Sequence, residues 1–284
     1  MMGKKILLTL MLGLMVFSFS TAVLAQEDKE ERPTCNLSWS LYSKYVWRGY
    51  ELSKDSLVMF PTITVSYKGF SMNMWGDFDT SYKGNPGEQS TNKWWETDWI
   101  LTYSNSWKKL NYTFGWIYYD IDPATYQRAS QELFTTVGLD VLLKPSLSIY
   151  REIALGGERW YINLGVTHTF PIVKREILGY CGEQTLDVGG RISYLTVKHG
   201  ASKPGGLDWN GMHDGNVWAA YNIPLNSFMT ISPSINYSFP LGNKAQKEIG
   251  HASFDAVEDF AKGKAHSGGN SQFVYGGVTL KVAF

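Results

Sequence analysis

Ten charged residues recur at alternate positions along this chain, a spacing that in extended backbone places them on one face. They are Lys44, Arg48, Asp77, Asp79, Glu96, Asp98, Glu132, Asp140, Arg191 and Lys281. Acidic and basic groups on one face of a closed sheet set a transverse field across a water-filled constriction, which orients dipolar solutes and selects weakly among ions. The bland alternative is that the same charges pair with one another and fill a narrow interior. A second chemistry is nucleophilic. In His251-Ala252-Ser253 a strand would put both side chains on one face, as a base and its nucleophile require, but the motif sits in a polar, glycine-bearing loop. His199, His213 and Asp214 could meet near one external loop, though their spacing matches no metal-ligand pattern. Trp209, with Asp208, Asn210 and His213 beside it, could stack on a sugar.

Positioning such residues falls to strands. Period-two alternation of apolar and polar residues runs through nearly the whole chain after the first thirty-odd residues. Leu37, Trp39 and Leu41 alternate with Ser38 and Ser40, and the pattern continues through Tyr45 and Trp47 opposite Lys44 and Arg48. Comparable segments cover 62–67, 70–79, 95–103, 110–118, 132–140, 147–152, 160–167, 186–194, 216–223, 229–237 and 274–284. The count is about twelve, an even number as a closed bacterial barrel needs. The connections alternate too. Tight turns at Lys68-Gly69, 104–109, Lys144-Pro145 and 224–227 are interleaved with long polar stretches at 80–93, 121–129, 198–213 and 241–270. Short periplasmic turns and long external loops give this rhythm.

Composition agrees. Aromatic residues make up 15% of the chain, with 11 Trp, 17 Tyr and 28 Gly, as aromatic girdles and close-packed strands require. Trp47, Tyr67, Phe78, Trp95 and Tyr103 are expected on the lipid face near strand ends. The chain ends on Leu280, Val282 and Phe284, a terminal aromatic with apolar residues at every second position, resembling the signal read by the barrel assembly machinery. The expected fold is therefore all-β: a closed antiparallel transmembrane β-barrel.

The amino terminus implies export. Lys4 and Lys5 precede an apolar run from Ile6 to Phe19, and Ala22-Val23-Leu24-Ala25 supplies the small residues of a cleavage site. The expected organisation is a signal peptide over 1–25, a periplasmic segment over 26–35 and an outer-membrane barrel over 36–284. Of 26 basic residues, two lie in the leader, leaving 24 against 26 acidic ones, a formal charge of −2. That balance argues against nucleic acid, which needs clustered Lys and Arg. Cys35 and Cys181 both fall at the periplasmic end by strand count, and an oxidising compartment permits a disulfide between them. Pro171 to Glu183, which carries Cys181, is long for a periplasmic turn. The segment 254–260 has helical spacing, so the last loop is a candidate to fold over the mouth or into it.

The stretch Tyr45-Val46-Trp47-Arg48-Gly49-Tyr50-Glu51-Leu52-Ser53-Lys54-Asp55 resembles the opening of the TorF family of porins, in which an aromatic-aliphatic-aromatic-Arg-Gly segment ends the first strand. Pro61 with the strand after it, the segment 70–75, and the segments 145–150 and 233–237 are similar to its continuation. The resemblance implies an outer-membrane barrel acting as a pore and supplies no substrate. Taken with the alternation, it leads to an expectation of passive diffusion of small polar solutes or ions through a charged lumen. No enzymatic activity and no cofactor are expected, and the partners expected are outer-membrane lipid, the assembly machinery and the solutes themselves. The rival is a closed barrel with a surface role, as a lipid-modifying enzyme or through loop-mediated ligand binding.

Overall fold

The computed structural model describes residues 32–53, 56–82, 91–121, 130–154, 158–177, 179–198, 209–251 and 270–284. Among these described residues, fourteen strands and one helix follow in order: β1 (Thr34–Tyr42), β2 (Val46–Trp47), β3 (Tyr50–Glu51), β4 (Val58–Tyr67), β5 (Phe70–Tyr82), β6 (Thr91–Trp107), β7 (Leu110–Ile121), β8 (Ser130–Leu139), β9 (Ser146–Glu152), β10 (Glu158–Ile177), β11 (Tyr180–Lys198), β12 (Trp209–Pro224), β13 (Met229–Pro240), α1 (Asn243–His251) and β14 (Phe273–Ala283). Every strand except β2 and β3 joins one antiparallel ring, so the barrel has twelve strands, each paired with its sequence neighbour. The seam is β1 against β14, with Trp39 opposite Leu280, and Cys35 and Phe284 exchange both backbone hydrogen bonds at 3.1 and 2.8 Å. Closure removes the free edges that an open sheet would present, which is the condition for strands to cross a bilayer.

The outer face is apolar around the ring. Trp39, Phe70, Phe114, Leu164, Ile235 and Val274 are each more than half exposed, on six different strands. Such a belt is what lipid contact requires and what water penalises. Along the inner face, from mid-barrel to the end that carries the short turns, hydroxyl and amide side chains bond across neighbouring strands. Ser40 meets Thr279 at 2.9 Å, Asn73 donates to Thr64 at 2.7 Å, Thr136 meets Ser148 at 2.8 Å, and Asn222 donates to Asp187 at 2.7 Å. No helix among the described residues is long and apolar enough to cross a membrane.

Three sequence expectations change. The first strand ends at Tyr42, not near Arg48, so the segment carrying the TorF resemblance is no strand end. Residues 45–52 form a separate hairpin, β2–β3, whose two central residues, Arg48 and Gly49, have φ of 49° and 84°. A two-residue turn with both central φ positive matches the twist of a tight hairpin, and Lys68-Gly69 repeats the geometry with φ of 49° and 83°. Because the chain turns there, Tyr45 and Trp47 lie inside the barrel. Trp95 is also turned inward: Asp77 pairs with Glu96 but Phe78 with Trp94, and this bulge shifts the parity by one residue. The alternation that makes those three aromatics look lipid-facing is real, but a turn or a bulge breaks the frame around each.

The 171–183 connection is no loop either. β10 and β11 continue past the ring as a ribbon paired down to Ile177 opposite Tyr180, whereas β9 leaves β10 at Gly165. Cys181 sits on that ribbon and Cys35 within β1, which starts one residue earlier; β14, β13 and β12 intervene. Four inter-strand steps of about 4.8 Å each exceed any disulfide span, and both thiols are free. The full-length barrel should therefore run identically with and without reductant on denaturing gels, and maleimide should label the exposed Cys181 without prior reduction. A reductant-dependent mobility shift would contradict this arrangement.

Candidate functional site: a hairpin across the barrel mouth

The β2–β3 hairpin reaches from β1 across the mouth at the end opposite the short turns. At its base, Tyr45 packs in an aromatic cluster, 5.3 Å from Phe60, 5.5 Å from Trp75 and 6.0 Å from Trp95 between ring centroids. Those residues come from β4, β5 and β6. Val58 and Tyr82 complete the buried core of this cluster. The Tyr45 amide donates to Ser53 Oγ at 2.7 Å and the Leu52 amide to the Tyr45 carbonyl at 2.8 Å, which tie the hairpin's two arms. Further along, Trp47 meets Tyr119 of β7 edge-on at 6.1 Å.

Arg48 occupies the tip. Its Nη1 and Nη2 donate to the two oxygens of Glu132 on β8 at 2.7 and 2.6 Å, a bidentate pair. The guanidinium carbon lies 4.4, 4.8 and 4.3 Å from the ring centres of Trp47, Tyr150 and Tyr161. Tyr119 donates to Glu132 Oε2 at 2.9 Å, so the wall orients the carboxylate independently of the hairpin. Arg48 is 8% exposed and Glu132 3%. On the far side of the turn, His213 Nε2 lies 3.0 Å from the Arg48 carbonyl oxygen. A Cβ on Gly49 would stand 2.9 Å from Asp214 Cβ and 3.1 Å from Ile249 Cδ1, so only glycine allows this approach to β12 and α1. Helix α1 follows β13 and packs over the hairpin: Ala245 and Ile249 are buried, and Tyr50 donates to Glu248.

The other sequence-predicted residues divide into two groups. Of the basic ones, Lys44 and Arg191, like Arg48, each have a carboxylate partner. Lys44, on the hairpin's approach rather than in β1, pairs with Glu51. Arg191 on β11 donates to Asp214 Oδ2 at 3.2 Å and to Tyr161 Oη at 2.6 Å. Asp77, Asp79, Glu96 and Asp98 gather on β5 and β6, nearly fully buried. Neither oxygen of Asp77 meets a partner at hydrogen-bond geometry, although the Trp95 indole lies beside it, and Glu96 Oε2 and Asp98 Oδ1 also lack one. The expected opposition of an acidic wall to a basic wall is thus replaced by local pairing of Lys44, Arg48 and Arg191 and a cluster of buried carboxyl groups on β5 and β6. Asp140 lies in the β8–β9 turn, outside the strands.

Sequence reasoning missed Tyr119, Tyr150 and Tyr161, which inward parity could have flagged, and Glu152, opposite Glu132 across β8 and β9. Trp209 starts β12 with its indole Nε1 buried, so it is no free loop platform. His213 is buried beside Tyr50, not on a loop. His199, Asp208, Ser253, the side chain of His251 and the 254–260 segment lie outside the described residues. Among the described residues no group of three or more His, Cys, Asp or Glu is arranged to hold a metal ion.

No protein-family model and no curated protein matches the chain. Among solved structures, the chain is similar to the NanC porin, with 8% identity over 88% of this chain and 98% of that one and a TM-score of 0.46. It is similar to LpxR from Salmonella typhimurium, with 9% identity over 88% and 99% and a TM-score of 0.43. A bacterial polysaccharide outer membrane secretin matches with 6% identity over 90% and 100% and a TM-score of 0.45. Likeness at this level carries no inference about activity, and the barrel assignment rests on the strand pairing of the chain itself.

Proposed function

We propose that this chain is an outer-membrane diffusion pore for small polar solutes or ions, with the β2–β3 hairpin as its constriction. The observation that carries this reading is the inner face between mid-barrel and the short turns, lined by Ser, Thr and Asn bonded across strands. A barrel packed shut needs side chains long enough to fill its centre there, whereas short Ser, Thr and Asn side chains bonded to neighbouring strands do not reach across it. On this reading the short turns face the periplasm, residues 1–25 direct export, and Leu280, Val282 and Phe284 present the assembly signal. The resemblance of residues 45–55 to the TorF porins points the same way. Solutes pass without covalent chemistry, and the chain has no catalytic role.

Asp77, Glu96 and Asp98 are carboxyl groups of the constriction, and each one that ionises makes it prefer cations. In a planar bilayer, the refolded chain lacking residues 1–25 should give discrete, salt-dependent current steps that favour potassium over chloride. Asp98→Asn should weaken that preference. Silence from barrels shown to be folded and inserted, including variants with a loosened hairpin, would remove the pore reading and leave a closed barrel with a surface role.

A further inference from the structure

We propose that the barrel mouth is a recognition site for guanidinium-bearing solutes, and that Arg48 is its tethered internal occupant. The wall supplies the complete receptor. Glu132 offers two oxygens in a plane to a fork of N–H donors, Tyr119 holds that carboxylate from β7, and Tyr150 and Tyr161 from β9 and β10 present their rings to the cation. A planar cation with parallel N–H donors and aromatic faces against it is the recognition geometry for guanidinium, which a compact ammonium cannot fill bidentately.

Two features separate this from an ordinary structural ion pair. The receptor stands on paired wall strands, while the occupant arrives on a turn whose central residue, Arg48, is a non-glycine at positive φ, flanked by strands of two residues each. The surroundings also hold further carboxyl groups: Asp98 pairs with Tyr119 across β6 and β7, beside Glu96 and Asp77. Each of these that ionises draws a cationic solute towards the site that Arg48 fills. A solute guanidinium that displaces Arg48 from Glu132 then frees the hairpin from the lumen. This last consequence rests on the pore reading; recognition itself does not.

The test is chemical replacement of the missing side chain. Arg48→Ala barrels, checked for folding by heat-modifiable gel mobility, are titrated with guanidinium chloride in the low millimolar range. Sodium chloride and tetramethylammonium chloride serve as matched controls. Tryptophan fluorescence reports binding, since Trp47 abuts the site, and bilayer current reports passage. Saturable guanidinium binding is expected for Arg48→Ala, absent with the controls, and weakened about tenfold or more by adding Glu132→Gln. A response no larger than that to sodium, or one indifferent to Glu132→Gln, would overturn the site. Arg48→Lys, which keeps the charge but not the fork, serves the same titration if the alanine variant fails to fold. Guanidinium binding without any current would overturn the pore reading alone, and current without guanidinium binding would overturn the site alone.

Discussion

Replacing Glu132 with alanine should release the hairpin and expose the Arg48–Gly49 bond to trypsin. Arg48 cannot shed its charge at any accessible pH, and at 8% exposure it has little water to turn to. Without Glu132 its donors keep only the ring faces of Trp47, Tyr150 and Tyr161. Removing one partner of a buried ion pair costs about 3–5 kcal/mol, because the other charge is stranded. The penalty falls on docking of the hairpin and not on the ring of strands, which has its own ladders. What opposes release is the Tyr45 cluster on β4–β6, the His213 contact and the Tyr50–Glu248 bond. The Tyr45 cluster holds the base and the Tyr50–Glu248 bond the far arm, leaving the His213 contact to hold the tip. Limited trypsin digestion of the inserted barrel should leave the wild type intact at this bond and cleave Glu132→Ala there, with larger or longer current openings in the same variant. Glu132→Gln, which keeps one acceptor, should fall between. Equal resistance in all three would mean that the ion pair does not hold the tip.

Gly277→Val should prevent the barrel from closing. A Cβ at position 277 would lie 1.9 Å from the Leu41 carbonyl oxygen and 2.8 Å from Tyr42 Cγ, both across the β1–β14 seam. The first of these is backbone, held on its other side by the pairing of Leu41 with Met59 of β4. Relief therefore requires opening the seam, and an opened seam strands backbone groups in lipid, each at several kcal/mol. The effect belongs with the rare substitutions that cost more than about 4 kcal/mol. Loss of the heat-modifiable folded band on refolding into detergent is the expected readout. Gly190→Val is the control, since its nearest approach is 3.4 Å to Val217 Cγ1 on a side chain able to adjust. If both variants fold alike, close approach at the seam is not what glycine provides there.

The ring itself was legible in the chain. A strand buried on one face and wet on the other needs a two-residue period, and each of the twelve alternating segments corresponds to a strand of the barrel. Turn chemistry at Lys68-Gly69 was legible for the same local reason: positive φ at two successive positions leaves few residue choices. The acidic residues on β5 and β6 could be placed on one inner face because parity holds over short distances.

Only the tertiary structure decided where parity stops. Tyr45, Trp47 and Arg48 resume the rhythm of β1 after a single polar residue, Ser43, and a period of two cannot reveal that the backbone has left the wall and turned inward. Ser43 and Gly49 were local signs of it. The single-residue bulge at Trp95 is likewise silent in the alternation, yet it moves an indole from the lipid face to the lumen. Pairing is beyond local pattern altogether. Arg48 and Glu132 are 84 positions apart, and what joins them is the distance across a closed ring, which no spacing along the chain encodes. The same closure keeps Cys35 and Cys181 apart, although strand counting puts them at one end. Local periodicity determined the wall; the path of one hairpin through its interior determined the site.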